Sequence, residues 1–213
     1  EPTFQALLRY AENFGSKVHR VPVNDQLDHD LDAMAAKINS KTGLIFICNP
    51  NNPTGTVLDG NKLKDFCTAH DNQTMIFSDE AYFDFITEPD YPSMVELVKK
   101  GRNVIVSKTF SKAYALASLR IGYSISHPQI ADYLNRVRQP FNNNQFALDA
   151  AKIALEDQAH IQSVTKNNWL EMQSLTKALE SLGLEYIPSA GNFVSVNVAD
   201  GRKVDQKLLQ KGI

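Results

Sequence analysis

The chain has 213 residues, with 22 Lys plus Arg against 24 Asp plus Glu for a formal net charge of −2, and it is 43% hydrophobic and 22% charged. These ordinary globular values exclude a disordered tail, collagen and a coiled coil, and the near-neutral balance argues against a general binder of nucleic acid or anionic membranes. No apolar stretch reaches the roughly 20 residues needed to span a bilayer. The two cysteines, Cys48 and Cys67, make no disulfide framework, so a reducing cytoplasm is the expected setting.

Segments of two periods alternate along the chain. Residues 3–14 read as a helix, with Phe4, Leu7, Leu8, Ala11 and Phe14 at helical spacing and Gly15 as its stop. Residues 17–23 are a β-rich run, and 31–38 are helical again, with Leu31, Met34, Ala35 and Ile38 on one face. Residues 43–48 form a short continuous apolar run between turn signals, the pattern of a strand buried on both faces. A helix is expected over 58–70, a second buried strand over 74–78, a helix over 95–100, a third strand over 103–107 and a fourth over 121–125. From His127 the pattern is mainly helical, over 130–137, 146–155 and 161–182, before strand returns at 193–198 and helix at 204–209.

Alternating strands and helices with short connections predict an α/β fold, a mostly parallel sheet with helices on both faces. The long helix near 161–182 marks a change of pattern. We therefore expect a large domain over 1–158 and the start of a smaller α/β domain over 159–213. The chain begins at Glu1 rather than Met and ends Leu208-Leu209-Gln210-Lys211-Gly212-Ile213, a helix, a glycine stop and the first apolar residue of something new. Both ends suggest a piece of a longer protein.

In an open parallel sheet, ligands bind at the carboxyl ends of the strands. Each of the three buried strands is followed there by unusual polar residues: Asn-Pro-Asn-Asn-Pro-Thr-Gly at 49–55, Ser-Asp-Glu-Ala-Tyr at 78–82 and Ser-Lys-Thr-Phe-Ser-Lys at 107–112, with Arg120 eight residues further on. One edge thus holds amides, a carboxylate with a phenol, and hydroxyls around a lysine. That inventory suits an aromatic, phosphorylated, aldehyde-bearing cofactor. A lysine supplies a Schiff base, a carboxylate keeps a pyridine nitrogen protonated so that the ring accepts electrons, a phenol and an amide bond a ring oxygen, and hydroxyls with the planar fork of an arginine suit a phosphate dianion. Pyridoxal 5′-phosphate meets each of these demands.

The stretches at 49–55, at 79–82 (Asp-Glu-Ala-Tyr) and at 109–123 (Thr-Phe-Ser-Lys-Ala-Tyr-Ala-Leu-Ala-Ser-Leu-Arg-Ile-Gly-Tyr) resemble those of the class I and II aminotransferases, members of the fold-type-I pyridoxal-phosphate family. Within that family the likeness is strongest to the histidinol-phosphate aminotransferases of histidine biosynthesis. The resemblance implies that Lys112 forms the Schiff base and shuttles the substrate's α-proton, that Asp79 pairs with the pyridinium nitrogen, and that Tyr82 and Asn52 bond the ring's phenolic oxygen. It further implies that Thr109, Ser111 and Arg120 hold the phosphate, that Phe4 stacks on the ring, and that Asn192, in Gly191-Asn192-Phe193, lies near the substrate carboxylate. It implies a homodimer acting on a small amino donor, histidinol phosphate favoured, and a 2-oxo acid acceptor such as 2-oxoglutarate. Neither a nucleic-acid nor a membrane partner is expected.

Each assignment has a plainer competitor. Lys108 also follows a serine, but the hydroxyls beside Lys112 and its spacing to Arg120 favour Lys112. Asp79 has the alternative of capping the next helix, Asn52 that of turn chemistry before Pro53, Arg120 that of a surface ion pair, and Tyr82 and Phe4 that of core packing. Glu80 reads as structural. His19, His29, His70, His127 and His160 show no ligand spacing, so no metal is expected. Ser118 stands where the family usually has glycine. The same residues would also serve a decarboxylase or a carbon–sulfur lyase, and the scaffold would serve a non-catalytic sensor.

Overall fold

A computed structural model describes residues 1–213. The first segment bound to the rest is not helical. Thr3 donates its hydroxyl to Asn51 Oδ1 at 2.8 Å, so the backbone of residues 2–4 is laid on a distant loop, and helix α1 starts only at Ala6 and runs to Asn13. Its Gln5 cap makes no side-chain bond to the amides of the first turn. The short α2, Leu31–Ala35, is capped by Asp30, which accepts from Ala33 N at 2.8 Å. In α3, Gly60–His70, Asp59 does the same for Lys62 N at 2.9 Å. Such caps satisfy amides that a first helical turn leaves orphaned.

Strands β1 (Leu44–Cys48), β2 (Met75–Asp79) and β3 (Val104–Thr109) pair in parallel and in that order, with β4 (Gly122–Ile125) on the outer side of β3. Helix α4 is Val95–Lys99. The register sets Ile45 beside Ile76 and Ile76 beside Val104. Strand alternation then puts Ile45, Ile47, Ile76, Ser78, Val104 and Val106 on one face. Their apolar members form one core with Leu63, Phe66 and Cys67 of α3 and with Met94 and Leu97 at α4, and Leu31 and Met34 of α2 pack against it. Ile47, Ile76, Val104 and Val106 have no exposed surface. The opposite face carries Phe46 and Phe77, 5.9 Å apart and half-buried, and it ends in Cys48, Asp79 and Ser107, which are cross-strand neighbours.

One expectation is sharpened and one is corrected. Strand β4 exists but runs antiparallel to β3, because residues 110–121 double back without a crossover helix, and a parallel return requires one. Residues 17–23 form no strand; only Val23 bridges, to His29. A β-rich run becomes a strand only against a partner ladder. Here an open groove, walled by Leu7, Leu8, Val18 and Val21 on one side and Leu44, Ile45 and Phe46 on the other, separates the run from the edge of β1.

The rest is mostly helical: α5 (Pro128–Val137, with proline in its first turn), α6 (Gln145–Glu156), α7 (Gln158–Ser181) and α8 (Gly201–Leu209). Asn144, Asp157 and Asp200 cap the last three. Helix α6 packs Ala147 and Ala151 against Phe110 and Ile121. Between α7 and α8, β5 (Tyr186–Ile187) and β6 (Ser195–Val196) pair antiparallel as a separate two-stranded sheet, so the run at 193–198 is strand over two residues only.

Candidate active site

The carboxyl ends of β1, β2 and β3 meet at one edge, and the three polar motifs meet there with them. Asn52 leaves β1 through the 49–55 loop and donates Nδ2 to the Tyr82 hydroxyl at 3.2 Å. Tyr82 is 5% exposed and follows β2 within a 3-10 turn region that includes Phe83–Phe85. The Lys112 ammonium lies 5.1 Å from the centre of the Tyr82 ring, within cation–π range. Residues from all three motifs are therefore in contact.

Asp79 closes β2. Its Oδ1 accepts from the Ser107 hydroxyl at 3.0 Å and the Ala81 amide at 3.2 Å, while Oδ2 has no protein partner. Burial pushes the carboxyl above the usual carboxylate range; the two hydrogen bonds oppose that shift and the nearby Glu80 charge adds to it. Asp79 does not cap a helix. Thr109, Ser111 and Arg120 form a second group. Thr109 Oγ1 accepts from Ser111 N at 3.0 Å, and Arg120 Nη1 approaches Ser111 Oγ at 3.4 Å and donates to Ala117 O at 2.6 Å. Arg120 has φ +52°, a left-handed backbone that a non-glycine residue adopts only at a cost of about 1–2 kcal/mol. Strain of this kind concentrates at functional sites. Arg120 pairs with no carboxylate, which sets aside its surface ion-pair alternative.

Two flanking residues are less tightly placed. Phe4 is 44% exposed. Burial, with Asp79 beside it, pushes the Cys48 thiol up to about 12, and the thiol donates to Pro50 O at 3.4 Å. Asn192 is exposed. Its neighbour Gly191 accepts from Asn168 Nδ2 at 3.1 Å, and its neighbour Phe193 meets Tyr82 edge-on with centroids 5.1 Å apart.

The competing lysine is accounted for by geometry. Lys108 lies on the Val106 face of β3, opposite Ser107 and Thr109. Its ammonium is 3.0 Å from Glu80 Oε2 and 4.2 Å from the Phe83 ring centre. Glu80 also accepts from Ser93 Oγ at 2.7 Å and Met94 N at 2.8 Å, so it is a structural acid with its lone pairs engaged. Lys112, beyond the end of β3, has no carboxylate partner.

Sequence reasoning assigned no role to four residues that the structure brings to this edge. Ser107 and Cys48 flank Asp79, Phe193 backs Tyr82, and Asn51 lies beneath Asn52. Alternation from Thr109 back to Ser107 was the one readable signal. The loop is also tied to the far sheet: Ala190 N donates to Gly55 O at 2.8 Å and Ser195 Oγ to Pro53 O at 2.5 Å. A Cβ built on Gly55, whose φ is +79°, would fall 2.3 Å from Ser189 Oγ, so only glycine fits there.

A parallel sheet with a lysine, a half-buried carboxylate and an arginine–hydroxyl cluster at one carboxyl edge defines a site for a charged, planar, phosphorylated ligand. The family model for class I and II aminotransferases matches residues 1–213, and the chain belongs to that family. It is 46% identical over 200 residues to histidinol-phosphate aminotransferase 1 of Nitrosococcus oceani, covering 93% of this chain and 54% of that one. It is 43% identical over 215 residues to the histidinol-phosphate aminotransferase of Moorella thermoacetica, covering 100% and 55%. A crystal structure of the Sinorhizobium meliloti histidinol-phosphate aminotransferase in complex with pyridoxal 5′-phosphate superposes with a TM-score of 0.87 at 30% identity, covering 98% of this chain and 56% of that one. The chain thus spans about half the length of the curated relatives it matches.

Proposed function

We propose that the protein is a pyridoxal-phosphate-dependent aminotransferase that takes an amino group from histidinol phosphate and passes it to 2-oxoglutarate. The observation that carries this reading is the charge pattern of the edge. Lys112 and Arg120 lack carboxylate partners there, and the Asp79 carboxylate lacks a cationic one. A ligand with an aldehyde, a phosphate and a pyridinium nitrogen supplies all three counterparts, so the residues present fit this cofactor.

When bound, pyridoxal 5′-phosphate supplies an aldehyde that captures amines and a ring that takes up the electron pair left by the departing α-proton. The protein's residues do the rest. Lys112 Nζ is the amine that would hold the aldehyde, and as a free base it would take the substrate's α-proton, a role worth about 10²–10⁴-fold in rate. Asp79 Oδ2 keeps a proton on the ring nitrogen, with Ser107 and the Ala81 amide fixing its orientation. Asn52 and Tyr82 orient the ring oxygen. Thr109, Ser111 and Arg120 grip the phosphate, Phe4 covers the ring and Asn192 faces the substrate carboxylate.

Residues 1–158 then make the cofactor domain and 159–213 belong to a second unit, a division supported by the separate β5–β6 sheet. A second copy of the chain fits the apolar surface on and between α5 and α6, where Val137, Phe141 and Phe146 are 80%, 100% and 83% exposed. No helix is long and apolar enough to cross a membrane.

The deciding experiment is an absorption spectrum of the full-length protein. We expect a visible cofactor band that shifts on adding histidinol phosphate, and glutamate release on adding 2-oxoglutarate. Carbon dioxide or a sulfur product in place of glutamate would move the protein to the lyase readings. The absence of any band would end the cofactor reading altogether.

A further inference from the structure

Asn51 belongs to none of the roles above, yet its side chain has three hydrogen-bond partners. It is 1% exposed. Its Oδ1 accepts from Thr3 Oγ1 at 2.8 Å, and its Nδ2 donates to Pro2 O at 3.0 Å and to Thr54 Oγ1 at 2.9 Å. Its backbone closes the loop on itself, with Asn51 N donating to Thr56 O and Gly55 N to Asn51 O, both at 2.8 Å. The chain of bonds continues from Thr54 to the Thr56 hydroxyl at 2.9 Å and on to Leu27 O at 3.0 Å.

We infer that Asn51 is a positioning residue that sets both walls of the cofactor site at once: the strap of residues 2–4 that carries Phe4, and the loop that carries Asn52. The inference rests on the aminotransferase reading. A carboxamide is the side chain that can both accept from Thr3 and donate twice, and its planarity fixes the three partners relative to one another. The strap contributes no buried residue to the sheet core. Cutting this tie therefore releases Phe4 and Asn52 without opening the fold. Buried, fully satisfied polar networks specify geometry because each member is costly to leave unpaired.

The test uses the full-length protein, a titration of cofactor-free enzyme with pyridoxal 5′-phosphate, the position of the resulting visible band, and the melting temperature without cofactor. Thr3→Val removes one neutral hydrogen bond, and we expect the dissociation constant to rise about fivefold, with a shifted band and at most a small fall in melting temperature. Thr3→Ser, which keeps the hydroxyl, should restore the wild-type affinity. Asn51→Ala should weaken binding by more than about tenfold. A lower melting temperature with unaltered affinity and band in both Thr3→Val and Asn51→Ala would overturn the inference and leave Asn51 a structural residue. Lys112→Ala separates the two claims. If it abolishes the lysine-bound band while Thr3→Val leaves the affinity unchanged, only the role of Asn51 fails; if it keeps the band, the aminotransferase reading fails with it.

Discussion

The sheet layer and the helical stretch after His127 are built on opposite economies of burial. In β1–β3, Ile47, Ile76, Val104 and Val106 have no exposed surface, and three short helices seal one face of the sheet. In α5, α7 and α8 no residue is buried, although α7 is 24 residues long. Leu182, Ile153 and Val137 remain 70–80% exposed. The polar edge grows out of the sealed region, so the residues assigned to chemistry stand on backbone that the core immobilises. The helical stretch touches the site through few side chains, chiefly Phe193, Ile161 and Val164 packed around Tyr82.

The comparison is broken or sharpened by a graded set of substitutions. The largest effect is expected at the edge itself: Lys112→Ala should lower turnover by about 10²–10⁴-fold, read in a steady-state assay of glutamate formation. In the core beneath, Ile76→Ala should cost about 2–5 kcal/mol of stability in urea titration, the price of an unfilled cavity in packing that cannot collapse. If Ile76→Ala cost no more than an exposed substitution in α7, the contrast would be wrong.

Asp79→Asn should show a smaller effect with a distinctive pH dependence. Burial holds the Asp79 carboxyl above its ordinary value, so the folded chain binds that proton more tightly than the unfolded one. Its stabilising contribution is present below the unfolded pKa and is lost as pH rises through the raised folded value. The cofactor-free Asp79→Asn protein should therefore be at least as stable as wild type at neutral pH and should lose part of the acid-side slope, while its affinity for pyridoxal 5′-phosphate falls. Thermal melts across pH check the first claim and cofactor titration the second. The smallest effect belongs to the other region: Leu182→Ser, at a residue 71% exposed, should stay within about 0.5 kcal/mol of wild type.

What was legible in the sequence was local. The runs that became β1, β2 and β3 are apolar, β-branched and bounded by turn residues, and their pairing needs nothing beyond one another. Asn52, Asp79 and Lys112 were legible because each follows such a run directly. The direction of β4 was not, since it depends on the path of residues 110–121 rather than on the strand's own composition. Residues 17–23 have strand composition without a ladder to join. Ser107 and Cys48 beside Asp79 depend on cross-strand register, and the bond from Thr3 to Asn51 spans 48 residues; no short window of sequence contains either fact. Lys112 was already favoured over Lys108 by its neighbouring hydroxyls and its spacing to Arg120; the structure adds that Lys108 stays on β3 against Glu80 while Lys112 lies beyond the end of the strand.

The contact between the 53–55 turn and residues 189–195 has a mechanical consequence. Because Gly55 has no side chain, Ser189 rests directly on its backbone, and the bonds to Gly55 O and Pro53 O act as two pins. The turn that follows Asn52 is therefore fixed at two points to residues 190 and 195. A shift of residues 189–195 would be transmitted through these two bonds to the loop whose Asn52 amide donates to the Tyr82 hydroxyl.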